Sequence, residues 1–235
     1  MLKHTLKQFD MDLEHLNTLI KSMFKISRKN IKHSLKAMLE GDIELARLVI
    51  KHDDAVDALE VQADEVARTI IVQHQPAADD LRFVFAGTKI VTDLERLSDM
   101  AVNIAGNVLV LDGEVPHNLA SIPVMREMVL EQLKSVRHSY LDNNAQQARG
   151  IIESNRLINE EFINTQRIML TYMAEDPACI SQCVALTNIA KILERIGDHI
   201  TNIAEMVIYS AVGYDVRHIS IEEIKVLLEG EDDDE

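Results

Sequence analysis

The sequence predicts an all-α fold built from two tandem three-helix bundles. Composition is the first reason, because aromatic residues make up only 4%, tryptophan is absent and the chain has 8 glycines and 4 prolines. Such a composition disfavours turn-rich β folds. The second reason is that apolar residues recur at spacings of three and four over long segments. The third is an internal repeat, described below.

Three long amphipathic helices are predicted in the first half of the chain. They span about residues 6–40, 43–75 and 78–111. Gly41 ends the first helix, Asp42 is placed to cap the second, and Pro76 stops the second. The Asp-Gly pair and proline within residues 112–116 indicate a linker, so the first domain is assigned to residues 1–113.

The second half repeats this organisation. Its predicted helices span about residues 119–141, 145–174 and 177–212. The dipeptide Asp176-Pro177 places a capping residue before a proline at the first helical position. The second domain is therefore assigned to residues 117–213. Residues 214–235 are predicted to form a short helical segment followed by a disordered acidic tail.

The third helix of each half carries a copy of one repeated sequence segment. Residues 94–108 read LERLSDMAVNIAGNV and residues 193–207 read LERIGDHITNIAEMV, with eight of fifteen positions identical at a constant offset of 99. Average residue frequencies would give about one match by chance. The chain therefore contains two copies of one three-helix unit.

The repeated helix carries two acidic residues in each copy, Glu95 with Asp99 and Glu194 with Asp198. Residues at i and i+4 share one face of a helix, so the carboxylates of each pair repel each other. A neighbouring Lys or Arg side chain, or a hard divalent cation with a preference for oxygen ligands, would offset this repulsion. An acidic helix with solvated acid pairs is the simpler alternative.

Further acids on the second predicted helix strengthen the prediction of a metal site in the first half. They recur at spacings of three and four and could face the Glu95 pair across the bundle: Asp53, Asp57, Glu60 and Asp64. The matching positions in the second half are Asn155 and Asn159. Because a neutral amide is a weaker ligand than a carboxylate, the two halves are expected to differ in metal affinity.

Charge and motif content argue against several function classes. The formal net charge of −15 argues against nucleic-acid binding, because the phosphates of a nucleic acid must be neutralised by Lys and Arg side chains. No phosphate-binding glycine loop occurs, and the one Glu-x-x-His pattern, Glu114 to His117, crosses the linker. We therefore predict a protein that is not an enzyme. A helical di-metal carboxylate enzyme and a passive metal-binding scaffold remain alternatives.

No signal peptide or spanning segment is evident, so a cytoplasmic location is expected.

Several motifs together resemble the PhoU family of bacterial phosphate-transport accessory proteins. They are LERLSD at residues 94–99, LERIGD at 193–198, HQPAADDLR at 74–82, LTYM at 170–173 and DVRH at 215–218. The resemblance covers essentially the whole chain. It implies a pseudo-two-fold pair of bundles and a negative regulator of the phosphate-starvation response.

The resemblance also implies partners and a cofactor. It implies contact with the ATPase subunit of the phosphate ABC transporter and with a phosphate-sensing histidine kinase, peripheral association with the membrane through these partners, and a homodimer. The metal-binding motif of the family maps onto Glu95, Asp99, Glu194 and Asp198. A divalent or trivalent ion (Mg, Mn, Fe or Zn) is the expected cofactor. Ser98 stands where the second copy has Gly197.

Overall fold

The structure is a computed structural model that describes residues 7–115 and 119–231. Within those ranges the chain forms eight α-helices and one short 3-10 turn, which confirms the all-α prediction. The helices are α1 (Lys7–Glu40), α2 (Ile43–Lys51), α3 (Asp54–His74), α4 (Ala78–Val110), α5 (Ile122–Asp142), α6 (Ala145–Glu175), α7 (Ile180–Val212) and α8 (Ile221–Glu231). The 3-10 turn, Pro177–Cys179, leads into α7.

The first bundle consists of α1, α3 and α4, with α2 packed at one end. Apolar side chains at helical spacing on α1 and α4, such as Leu16, Ile20, Ile90 and Leu94, are fully buried between the helices. Asp42 caps α2 as predicted, because its carboxylate accepts a hydrogen bond from the Leu45 amide at 2.9 Å.

A close approach of two backbone turns holds the end of this bundle together. Gly41 follows α1 with a φ of +66°, and Gly113 follows α4 with a φ of +74°. A Cβ atom on Gly41 would overlap the Gly113 carbonyl oxygen. Only glycine combines the left-handed backbone with this proximity.

The single helix predicted over residues 43–75 is wrong, because the structure breaks it at His52 and Asp53. The His52 amide donates to the carbonyls of both Leu48 and Val49 at 3.1 Å, which tightens the last turn of α2. The break contains neither glycine nor proline, so the sequence gives no breaker signal for it. The consequence is that α3 starts afresh at Asp54 and brings Asp53 towards α4.

The second bundle consists of α5, α6 and α7. Its α6 is unbroken, unlike the α2–α3 pair of the first bundle. Asn144 caps α6 through a hydrogen bond from the Gln147 amide at 2.9 Å, and the Asp176 carboxylate accepts from the Ala178 amide at 2.9 Å. The Asp176 cap confirms the turn predicted from Asp176-Pro177.

The two bundles join mainly where α4 packs against α7. Asp93 meets His199 and Phe85 meets Tyr209, so the two repeated helices run in opposite directions. A second contact links α1 to α5, where the Tyr140 hydroxyl donates to Asn17 Oδ1 at 3.0 Å. The Tyr140 ring also packs on Phe24 with 5.5 Å between the ring centroids. The duplicated units are thus related by a pseudo-two-fold arrangement.

The C-terminal segment forms α8, in agreement with the short helical segment predicted within residues 214–235. The beginning of the predicted second domain at residue 117 and the tail acids 232–235 lie outside the described residues. Within the described residues, no helix contains a stretch both long and apolar enough to cross a membrane.

Candidate metal centre

Glu95 and Asp99 lie one turn apart on α4, at different depths. The Glu95 side chain is 16% exposed, whereas Asp99 is 41% exposed. Arg96 lies between them, with its guanidinium 3.6 Å from Glu95 Oε2 and 3.5 Å from Asp99 Oδ2. These ion pairs are long and Arg96 itself is largely exposed, so they offset only part of the repulsion between the two carboxylates.

Asp53 reaches the same region from the turn between α2 and α3. The Ser98 hydroxyl donates to Asp53 Oδ1 at 3.0 Å and accepts from the Asn30 amide at 2.9 Å. Asn30 and Ser98 are buried, so this chain of hydrogen bonds fixes the Asp53 carboxylate against α4. The difference between Ser98 and Gly197, which looks minor in the sequence, therefore determines the partner of a candidate ligand.

The acids of α3 and α4 affect one another electrostatically. Burial and the Asp99 carboxylate, followed by Glu60 and Asp57, raise the pKa of Glu95 to about 7, against the lowering effect of Arg96. Burial, Asp57 and Asp99 raise the pKa of Asp53 above its usual value, despite the Ser98 hydrogen bond. We call Asp53, Asp57, Glu60, Glu95 and Asp99 the first acid cluster. The predicted approach of the second-helix acids to the Glu95 pair agrees with this mutual influence.

Replacing Glu95 by glutamine is expected to stabilise the protein at pH 8 by about 1–2 kcal/mol. The pKa of Glu95 lies near 7 in the folded protein against an ordinary value of 4.5. The protonated carboxyl therefore contributes stability that is complete below about pH 4.5 and lost as pH rises through about 7. Urea unfolding at several pH values from about 5 to 8 measures the slope of stability against pH.

The matched control is Glu44→Gln, since that side chain is 79% exposed. Burial also raises the pKa of Glu205 to about 7, so a smaller slope is expected to persist in the Glu95 variant. If the free energy of unfolding varied with pH in the same way for the wild type and the Glu95→Gln variant, the prediction would be contradicted.

In the second bundle a lysine takes part of the role that a cation could play. Lys191 Nζ lies 2.6 Å from Glu194 Oε2 and 5.1 Å from the centroid of the Phe162 ring. The Glu194 side chain is 15% exposed, so a well-placed ion pair compensates its charge. Lys191 is thus a basic neighbour of the kind that offsets the repulsion within a repeated acid pair.

Asp198 has a different partner from Glu194. Asn155 Nδ2 on α6 donates to Asp198 Oδ1 at 3.1 Å. Gly197 makes room for this contact, because a Cβ there would overlap Asn155 Oδ1. Gly197 therefore matches Asn155 on α6, whereas Ser98 matches Asp53 in the turn before α3.

Both bundles contain oxygen atoms of the kind that a hard cation prefers. The first acid cluster supplies carboxylate oxygens only, and the buried Oδ1 atoms of Asn155 and Asn159 have no hydrogen-bond partner. Amide oxygens are suitable cation ligands, and Asn155 is already in contact with Asp198. Over residues 7–115 and 119–231, however, no three His, Cys, Asp or Glu side chains are gathered closely enough to form a metal site. Metal binding by these residues stays a prediction.

His199 contributes to the joint between the bundles. Its Nδ1 atom lies 2.7 Å from Asp93 Oδ1, and Asn202 Nδ2 donates to the same oxygen at 3.2 Å. His199 therefore lies at the interface between α4 and α7. Asp93 has no counterpart in the second copy, where Ile192 stands, so the internal repeat gave no signal for this contact.

Known proteins share this fold. A family model described as the PhoU domain matches residues 20–108 and 122–207. The chain belongs to the PhoU family. Both copies of the PhoU domain contain the acid pair, Glu95 with Asp99 in the first and Glu194 with Asp198 in the second.

Curated PhoU relatives cover nearly the whole chain. A phosphate-specific transport system accessory protein PhoU homolog of Zymomonas mobilis is 43% identical over 211 residues, which is 89% of each chain. The homolog of Rhizobium meliloti is 37% identical over 212 residues, covering 89% of this chain and 90% of its own. That of Pseudomonas aeruginosa is 32% identical over 224 residues, covering 94% and 93%.

Two PhoU crystal structures have the same fold. PhoU from Pseudomonas aeruginosa superposes with a TM-score of 0.84 at 31% identity, covering 88% of this chain and all of that one. The phosphate transport system regulatory protein PhoU from Streptococcus pneumoniae gives a TM-score of 0.82 at 24% identity, with 88% and 99% coverage. The fold therefore persists where little sequence identity remains.

Proposed function

We propose that this protein regulates phosphate uptake and phosphate-starvation signalling without catalysing a reaction. Membership of the PhoU family carries the proposal, since several relatives are named as accessory proteins of phosphate-specific transport. The protein would repress the starvation response when phosphate is plentiful. The acid pair at the same point of both PhoU domains supports the same kind of task for each bundle.

Regulation of this kind would proceed by docking. The proposed partners are the ATPase subunit of the phosphate ABC transporter and a phosphate-sensing histidine kinase, met at the cytoplasmic side of the membrane. The overall acidic charge of the chain favours attraction to basic surfaces on such partners. A homodimer completes the proposed assembly. Pull-down of the two partners and sedimentation of the purified protein test these points.

We further propose that the acid pairs hold a divalent or trivalent metal ion of the Mg, Mn, Fe or Zn type. In the first bundle Glu95 and Asp99 would bind it, aided by Asp53 and Asp57. The raised pKa values of Glu95 and Asp53 support this, since a cation would relieve the same repulsion that favours protonation. In the second bundle Lys191 competes for Glu194, so weaker binding is expected there.

The decisive experiment replaces the chromosomal gene by a variant carrying Glu95→Gln and Asp99→Asn. In phosphate-rich medium we expect derepression of a reporter for phosphate-scavenging genes, as in a deletion strain, because the first bundle has lost its cation site. The purified variant should also lose the rise in melting temperature that Mn²⁺ gives the wild type.

A control variant with Glu44→Gln and Glu65→Gln removes the same charge from exposed side chains of α2 and α3. It should repress normally. A deletion strain with unchanged reporter expression would contradict the regulatory role, whereas an acid-pair variant that still represses would favour a passive scaffold. Oxygen consumption by Fe- or Mn-loaded protein would favour the di-metal enzyme.

A further inference from the structure

The positive charge of this acidic protein is concentrated on one helix. Residues 15–39 contain no Asp or Glu, although the whole chain has a net charge of −15. This stretch of α1 carries Lys21, Lys25, Arg28, Lys29, Lys32 and Lys36. Five of the six follow one another at steps of four, three, four and four residues, so they form one stripe along the helix.

Only the ends of this stripe are neutralised. Lys21 pairs with Glu14 at 3.5 Å and Lys36 pairs with Glu40 at 3.6 Å. Within the described part of the chain, Lys25 and Arg28 form no ion pair. Burial and the positive field of Lys29, Lys32 and Lys36 lower the pKa of the nearby His33. The centre of the stripe therefore lies in an uncompensated positive potential.

A cavity opens beside the centre of the stripe, where the first bundle meets the second. It has a volume of about 270 Å³ and is lined by Phe24, Lys25 and Arg28 of α1 and by Lys134 and Arg137 of α5. The polar side chains of these lining residues are thus all cations. Lys134 pairs with the exposed Glu131 carboxylate at 3.4 Å.

The arginines of this basic cavity are placed for ligand contact rather than for solvation. Arg28 and Arg137 are only partly exposed, and the buried Nε atom of Arg28 has no hydrogen-bond partner. A buried donor without a partner is costly unless something supplies an acceptor. The Phe24 ring forms an apolar floor, which strengthens electrostatic attraction at this point.

We propose that this basic cavity binds a small polyanion with two or more phosphate groups, held between the two bundles. Guanidinium groups match the oxygen geometry of phosphates, and two arginines with two lysines require more than one negative charge for neutralisation. The volume lies just below the range of about 300–1,000 Å³ typical of drug-sized ligands, which suits a compact anion. The four cations surround a concavity between two helices, whereas a membrane or a nucleic-acid strand needs basic groups projecting from a flat or extended surface.

Calorimetric titration of the purified full-length protein tests the proposal. Pyrophosphate, tripolyphosphate, orthophosphate and sulfate are the probes, in chelator-treated buffer without divalent cations so that no metal–phosphate complex contributes. We expect pyrophosphate and tripolyphosphate to bind and to raise the melting temperature, and sulfate and orthophosphate to bind much more weakly. Arg28→Gln and Arg137→Gln should each raise Kd for pyrophosphate about tenfold or more.

Arg47→Gln is the control, since it removes the same charge from an exposed side chain on α2. Its Kd should equal that of wild type. Lys25→Gln provides a further test at an exposed position if Arg28→Gln fails to fold, as judged by circular dichroism. Absence of oligophosphate binding, or equal weakening by Arg47→Gln, would overturn the proposal. So would binding confined to vesicles containing anionic lipid. The assay uses purified protein and is independent of the gene-regulation experiment.

Discussion

Replacing Gly41 by alanine is expected to lower the free energy of unfolding by about 3 kcal/mol or more. Gly41 adopts a left-handed backbone with a φ of +66°, and an added Cβ would overlap the Gly113 carbonyl oxygen. Because the obstacle is backbone, relief requires a shift of the turn after α1 or the turn after α4. Urea unfolding followed by circular dichroism measures the loss.

Gly106→Ala is the matched control for this substitution. Gly106 lies within α4 in helical backbone, and a Cβ there would meet nothing within 4 Å. Alanine is expected to stabilise the protein at this position by about 0.5–1 kcal/mol, since glycine loses more conformational entropy in a helix. If both variants changed stability by the same amount, the close approach of Gly41 and Gly113 would not explain the cost.

Truncating Phe24 to alanine is expected to cost about 3–5 kcal/mol. Phe24 is 1% exposed, and its ring packs on Tyr140 of the other bundle. The cavity left by the missing ring would weaken both the core of the first bundle and its contact with α5. Thermal and urea unfolding are the measurements.

Phe85→Ala serves as the comparison, because Phe85 also contacts a tyrosine of the other bundle. Its ring is 45% exposed and meets Tyr209 edge-on at 5.9 Å. A loss of about 1 kcal/mol or less is expected there. A Phe24 variant no less stable than the Phe85 variant would show that α1 and α5 are not joined through this ring.

The fold could be predicted from sequence because its signals are local and repeated. Helical spacing of apolar residues, the Asp42 cap and the duplicated segment lead to two three-helix bundles. The helix break at His52 and Asp53 could not be predicted from sequence, since neither residue is a helix breaker. It results from packing, because α2 and α3 make separate contacts with α1 and α4.

The sequence predicts which acidic residues form the candidate site, but it predicts less well which side chains contact them. The i, i+4 spacing alone shows that Glu95 and Asp99 share one face of their helix, and that Glu194 and Asp198 do the same in theirs. Burial of the two glutamates and the Lys191 ion pair depend on helix rotation in the bundle, which periodicity fixes only coarsely. The Ser98–Asp53 hydrogen bond depends on the helix break and was therefore out of reach.

The basic cavity illustrates a different limit. A net charge sums over the whole chain and hides a local excess of the opposite sign. The cations of residues 25–28 and 134–137 are more than 100 positions apart in the sequence and meet only because α1 contacts α5. Long-range pairings of this kind leave no periodic signal in either helix.

Joining both units in one polypeptide has a consequence for how they can diverge. In a symmetric dimer of identical single units, every substitution would occur twice and both halves would keep the same chemistry. Here Asp53 and Ser98 face each other in one half, while Asn155 and Gly197 do so in the other. Covalent fusion thus lets one scaffold carry two separately adjustable centres, each able to acquire its own ligand strength without changing the other.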